Sequence, residues 1–147
     1  ARDGVPSDRL CIAGIGREST VATTRAARRA AELGADAVLA RTPSFFKPRL
    51  NTEAFVSHYT AVAEASPVPV LLYNFTALTG VTLAVEVVVT LAAHPNIIGM
   101  KESGSDLKFL SSLVDCTPDD FVIMAPILLN CCNMCGLSIS IALLLIS

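Results

Sequence analysis

Short apolar runs alternate with helical-period segments along most of the chain. Leu10-Cys11-Ile12-Ala13, closed by Gly14-Ile15-Gly16, predicts a buried strand. Ser19 or Thr20 can cap the helix that follows. Its apolar positions Ala22, Ala26, Ala27, Ala30 and Ala31 lead to Leu33, and Gly34 supplies a left-handed stop. Ala37-Val38-Leu39-Ala40 predicts a second strand ending at Thr42-Pro43. The loop Ser44-Phe45-Phe46-Lys47-Pro48 then leads to Asn51 or Thr52 as the next cap. Ala54, Phe55, His58, Tyr59, Val62 and Ala63 recur at helical spacing. Pro67 and Pro69 introduce a third strand, Val68-Pro69-Val70-Leu71-Leu72, ending in Tyr73-Asn74. After a loop with Thr79-Gly80 come a helix from Leu83 to Ala93, closed by His94-Pro95, and a fourth strand from Ile97 to Lys101. A helix from Ser105 to Asp115, a strand from Phe121 to Ala125 and a last strand from Ser138 to Leu143 complete the series. Strand then helix, repeated, is the signature of βαβ units and a parallel sheet. The continuous apolar strands are what a sheet covered on both faces requires.

Composition narrows the class. Of 147 residues 52% are hydrophobic and 16% charged, which excludes disorder. The net charge is −2 and the sequence has no basic stripe, so nucleic acid is not the expected partner. Arg25, Arg28 and Arg29 share a helix with Glu32 and read as a solvated face. From Phe121 to Ser147 there is no charged residue. That length can span a bilayer, but Pro126, Asn130, Asn133, Gly136, Ser138 and Ser140 interrupt it, so a buried strand and packed segment are expected instead of a membrane helix. Cys131, Cys132 and Cys135 crowd this segment without a second ligand pair at zinc spacing, so no metal site is expected. Reduced, buried cysteines point to a cytoplasmic or organellar (mitochondrial) protein. The chain does not begin with Met, and no targeting segment is read from its start.

Two strands each deliver a functional side chain at the C-terminal end, Tyr73 after one and Lys101 after the other. In parallel sheets and barrels that edge carries the active site. A lysine in apolar surroundings is suited to Schiff-base chemistry, because burial favours the neutral, nucleophilic amine. Taken alone, such a lysine is most often a surface residue, and such a tyrosine usually a packing residue with its hydroxyl at the rim. Ser103, two residues after Lys101, is expected on the same face, with a helix-cap role as its alternative. His58 is read as a helix-face residue and His94 as a helix C-terminal one.

Three segments together resemble the dihydrodipicolinate synthase / N-acetylneuraminate lyase superfamily. Thr42-Pro43-Ser44-Phe45-Phe46-Lys47-Pro48 resembles its T-P-x-[YF]-x-[KR]-P loop. Tyr73-Asn74-Phe75-Thr76-Ala77-Leu78-Thr79-Gly80 resembles Y-N-x-P-x-x-T-G, and Asn96-Ile97-Ile98-Gly99-Met100-Lys101-Glu102-Ser103 resembles N-I-x-G-x-K-[ED]-[SA]. Ala13-Gly14-Ile15-Gly16 with Thr20 fits the third strand and helix of that family's barrel. The resemblance implies a (β/α)₈ barrel of pyruvate-dependent class I aldolases and lyases. Lys101 would be its Schiff-base lysine and Tyr73 its proton-relaying phenol. Ser103, Phe45 and Thr42 would be substrate-binding positions. It implies a small 2-oxo acid substrate, no metal or organic cofactor, and a homo-oligomer in the full-length family.

The departures shape the expected reaction. Phe45 stands where the family has a second tyrosine, Thr76 where it has proline, and Leu78 where dihydrodipicolinate synthases have a carboxylate-binding arginine. After Met124-Ala125 the sequence reads Pro126-Ile127 and leaves the pattern. The expectation is therefore a partial barrel of about six strands forming one domain over 1–147, with 121–147 atypical. Its expected reaction is cleavage of 4-hydroxy-2-oxoglutarate to pyruvate and glyoxylate. The enzymatic alternative is a dihydrodipicolinate synthase-type condensation of pyruvate with an aldehyde. The alternative of another class is a non-catalytic fragment, because the family's first two βα units and its carboxylate-binding loop lie outside this sequence.

Overall fold

The computed structural model describes residues 4–6 and 8–125 in full, and 141–145 as backbone. The elements are β1 (Leu10–Gly14), α1 (Thr20–Glu32), β2 (Ala37–Arg41), α2 (Thr52–Ala65), β3 (Val70–Asn74), α3 (Thr76–Thr79), α4 (Val85–Ala92), β4 (Ile97–Glu102), α5 (Leu107–Cys116), β5 (Val122–Met124) and β6 (Ile141–Leu145). The strands form one six-stranded sheet in the order β5-β4-β3-β2-β1-β6. All its pairings are parallel. From β1 to β5 each strand lies beside its predecessor, as consecutive staves of a (β/α)₈ barrel do, and the sheet is open. The last strand lies at Ile141–Leu145, against an expected Ser138–Leu143, and pairs with β1 from Leu10↔Ile141 to Gly14↔Leu145. The trio Cys131, Cys132 and Cys135 falls outside the described residues.

Local chemistry explains the helix boundaries. Ser19 and Asn51 cap α1 and α2, their side chains accepting from the N–H groups of Ala22 and Ala54. Asp106 caps α5, accepting from Lys108 and Phe109. Gly34, at φ 82°, turns the chain out of α1. Two loops of the sequence reading hold short helical turns. Lys47–Arg49 is a 3₁₀ turn with Pro48 near its start, and Thr76–Thr79 is the single turn α3, closed by left-handed Gly80. Such turns are too short for hydrophobic periodicity to reveal.

Strand alternation sorts the core into two faces. On the outer face, Ala13, Val38, Ala40, Val70, Leu72 and Met100 pack against Ala27, Phe55, Tyr59, Val62, Val87, Leu91 and Leu113 of the helices. On the inner face, Ile12, Ala37, Leu39 and Leu71 cluster, with Tyr73 and Met124 packed against them. The expected solvated face of α1 is present, with Arg29 paired to Glu32 at 3.0 Å on the surface. Among the described residues no helix is long and apolar enough to cross a membrane.

Candidate active site at the strand ends

The C-terminal edge of the sheet brings three polar side chains into one row. Arg41, Tyr73 and Lys101 are register partners across β2, β3 and β4. Neighbouring parallel strands lie about 4.8 Å apart, so the row spans about 10 Å. Alternation puts all three on the inner face. The Lys101 amine sits over the Tyr73 ring, its Nζ 4.7 Å from the centroid. At that distance the ring's π face attracts the amine in its charged form. Phe75 stacks on the same tyrosine at 6.1 Å. Tyr73 and Lys101 are each half-buried.

The other expected site residues take different places. Thr42 is fully buried, and its hydroxyl donates to the Tyr73 carbonyl at 2.9 Å. Its backbone N–H donates to the same oxygen. Thr42 thus ties β2 to the backbone of Tyr73, with its hydroxyl already engaged. Phe45 is 75% exposed on the loop, edge-to-face with Phe46 at 4.9 Å. Ser103 lies one residue past β4, and its N–H continues the ladder to the Asn74 carbonyl.

Four residues of the site carried no role in the sequence reading. Glu18 accepts the backbone N–H groups of Ser44 and Phe45, each at 2.8 Å, and pairs with Arg41 at 3.2 Å. Partial burial works to raise the Glu18 carboxyl. The Phe45 and Ser44 amides and the Arg41 guanidinium outweigh it, and the group ends below the ordinary glutamate range. Arg41 also donates to the Thr42 carbonyl at 3.2 Å. The loop bearing Phe45 is therefore held by a carboxylate from the β1–α1 connection. Spacing gives no sign of this, because the partners are more than twenty residues apart. Asn74 and Glu102 belong to the quoted motifs, yet both are buried on the outer face of the sheet, 1% and 3% exposed.

Behind the loop, α2 presents His58 and Tyr59, both buried. His58 Nδ1 lies 2.9 Å from the Thr20 hydroxyl. Among the described residues its Nε2 has no hydrogen-bond partner. Burial holds this imidazole below the ordinary histidine value, with Glu18 acting in the opposite direction. Burial drives the Tyr59 phenol far above its usual range, opposed in part by the Thr42 side chain and Arg41. Tyr59 packs in the outer-face core, on the side of the sheet opposite Lys101.

A primary amine beside a phenol, at the mouth end of parallel strands, has the parts for imine formation with an attendant acid/base. The comparisons fit this geometry. The model of the Dihydrodipicolinate synthetase family matches residues 7–128. The chain is 43% identical over 112 residues to the 4-hydroxy-tetrahydrodipicolinate synthase of Exiguobacterium sibiricum, covering 76% of this chain and 38% of that protein. It is 44% identical over 121 residues to that of Leuconostoc citreum, covering 81% and 40%. The solved dihydrodipicolinate synthase of Acinetobacter baumannii complexed with pyruvate is similar with a TM-score of 0.76 at 34% identity, over 81% of this chain and 40% of that one. The chain thus spans 38–40% of the length of these curated relatives.

Proposed function

The chain belongs to the dihydrodipicolinate synthetase family of carbon–carbon lyases and synthases, and on that premise we propose that Lys101 and Tyr73 carry its chemistry on pyruvate. The Lys101 amine adds to the C2 carbonyl, and loss of water leaves an iminium. The iminium accepts the electron pair released when a C3 proton departs, giving an enamine. The enamine carbon attacks an aldehyde carbonyl, the Tyr73 hydroxyl gives its proton to the oxygen that becomes the new hydroxyl, and the phenolate left behind takes up, through water, the proton lost from C3. Water then hydrolyses the iminium and restores the amine. The reverse sequence cleaves a 4-hydroxy-2-oxo acid. The observation that carries this reading is Nζ of Lys101 4.7 Å from the Tyr73 ring at the strand ends.

The names of the relatives support condensation of pyruvate with an aldehyde over the 4-hydroxy-2-oxoglutarate cleavage expected from sequence. The cleavage reading keeps one observation in its favour. Leu78, 68% exposed on α3, stands where the resemblance expects an arginine for the second substrate's carboxylate. Ser103 and Phe45 remain proposed substrate neighbours, Thr42 is proposed as a support for Tyr73, and self-association is part of the same proposal. Incubation with pyruvate and borohydride tests the core of it. An adduct of pyruvyl mass on the Lys101 peptide is expected, and a folded chain with no adduct there overturns it. Condensation with aspartate semialdehyde, assayed beside pyruvate release from 4-hydroxy-2-oxoglutarate, separates the two readings.

A further inference from the structure

Asn74 and Glu102 sit at consecutive register positions with the two site residues. Tyr73 pairs with Lys101 on the inner face, and Asn74 pairs with Glu102 on the outer face. The side chains of the outer pair meet, Asn74 Nδ2 donating to Glu102 Oε2 at 2.6 Å. Their remaining acceptors reach into the two loops that border the site. Asn74 Oδ1 accepts from Leu83 N–H at 3.2 Å, beyond α3. Glu102 Oε1 accepts from Gly104 N–H. A Cβ at residue 104 would lie 2.6 Å from that same oxygen, so any other residue there would have to push the carboxylate aside. The Asn74 carbonyl accepts from Ser103 N–H at 3.0 Å.

A buried carboxylate is costly, and two apolar side chains of similar size would fill this space more cheaply. Apolar side chains would leave the Leu83 and Gly104 amides without acceptors, and the loops after β3 and β4 without a common anchor. The hydrogen bonds converge on the two residues next in sequence to Tyr73 and Lys101. Shear between β3 and β4 at this edge strains the 2.6 Å contact together with the backbone ladder that sets Lys101 beside Tyr73.

We infer that Asn74 and Glu102 are positioning residues: their buried hydrogen-bonded pair fixes the Lys101 amine over the Tyr73 ring. As a role in catalysis this rests on the function proposed above, whereas as geometry it is independent of it. The chain has three lysines, Lys47, Lys101 and Lys108. Reductive ¹³C-dimethylation of the 147-residue chain gives each a distinct methyl resonance. A ring face shields nuclei above it, so the Lys101 signal is expected upfield. Lys101→Arg assigns it by removal, and Tyr73→Leu abolishes its displacement.

Glu102→Gln turns an amide donor toward the Asn74 amide or toward Gly104 N–H. Asn74→Asp sets two carboxylates face to face. The exchange Asn74→Asp with Glu102→Gln restores every hydrogen bond, with Gln donating to Asp, Asp accepting from Leu83 and Gln accepting from Gly104. Each single variant should lose at least half of the upfield displacement, and the exchange should recover it. Thr79→Val, at a buried residue whose hydrogen bonds stay within its own loop, should lower stability and leave the signal in place. An unmoved signal in folded single variants, or an equal movement in Thr79→Val, overturns the inference. If both single variants fail to fold, the exchange decides: a folded chain with the native signal supports it, and any other result overturns it. With pyruvate and borohydride, trapping at Lys101 should slow by on the order of 10–100-fold in the single variants and recover in the exchange. No adduct in the unsubstituted chain would sink the proposed function while the resonance still judges the pair.

Discussion

Substituting Gly99 by alanine tests how closely β4 and β5 approach beside the site. A Cβ at residue 99 would lie 2.3 Å from the Val122 carbonyl oxygen, 2.9 Å from Val122 Cβ and 3.0 Å from Leu71 Cδ2. The Leu71 methyl can rotate aside, but the Val122 oxygen is backbone. A tolerable carbon–oxygen contact is about 3.3 Å or more, so β5 must retreat by about 1 Å. Interstrand N–H···O bonds of about 2.9 Å would stretch to about 3.9 Å and cease to be hydrogen bonds. Overpacking costs about 1–3 kcal/mol, and each bond lost adds about 1 kcal/mol. Gly99→Ala should therefore destabilise the chain by on the order of 3–5 kcal/mol, within the range of the strongest single-residue effects. Urea unfolding followed by far-ultraviolet circular dichroism reads this as a lower midpoint at an unchanged slope. Gly4→Ala is the control, since nothing lies within 4 Å of a Cβ at residue 4. A Gly99→Ala midpoint indistinguishable from that control would refute the close approach. The consequence reaches the site, because Lys101 and Met124 are register partners on the same strand pair.

Three further outcomes follow from the geometry. Tyr73→Phe should leave the melting temperature and imine trapping nearly unchanged and slow turnover by roughly two to four orders of magnitude, the range for a lost general acid/base; equal turnover from a folded variant would remove Tyr73 from the reaction. Gly80→Ala should cost about 1–2 kcal/mol, because residue 80 holds φ 63° and the left-handed region is unfavourable for alanine. The Lys47 amine, 2.5 Å from the new Cβ, is the end of a flexible side chain and can move, so Gly80→Ala with Lys47→Ala should recover little of that loss in the same urea assay. The third outcome is a pH dependence. His58 titrates below its unfolded value of 6.5, so the native state binds fewer protons than the unfolded state in that window. Its contribution is complete above pH 6.5 and is lost as pH falls through the lower folded value. Melting temperatures from pH 7.5 to 5.5 should decline less steeply in His58→Gln than in the unsubstituted chain, and parallel slopes would contradict the burial argument.

Strand–helix alternation was legible because parallel strands buried on both faces must be apolar throughout and amphipathic helices repeat at 3.6 residues. The same logic gave Tyr73 and Lys101. A polar residue at the end of an apolar run stands out, and the edge on which it stands is fixed by the parallel topology. What escaped the sequence lies in contacts between elements distant along the chain. Glu18 meets Ser44 and Phe45 across 26 and 27 residues, and Asn74 meets Glu102 across 28. No period encodes such partners. Asn74 and Glu102 are polar, yet they are almost fully buried. Thr42 shows the converse. The motif marked it as a substrate neighbour, and beside that expectation its hydroxyl donates to the Tyr73 carbonyl. A recurrent residue beside a reactive one has two physical readings, contact with the substrate or support for the residue that makes contact. Strand alternation separates them once register is known. Tyr73 and Lys101 fall on the inner face, and Asn74 and Glu102, each one residue on, fall on the outer face. For motif residues on a strand, the parity of their position relative to the proposed Schiff-base lysine, Lys101, is thus the first test of which role they hold.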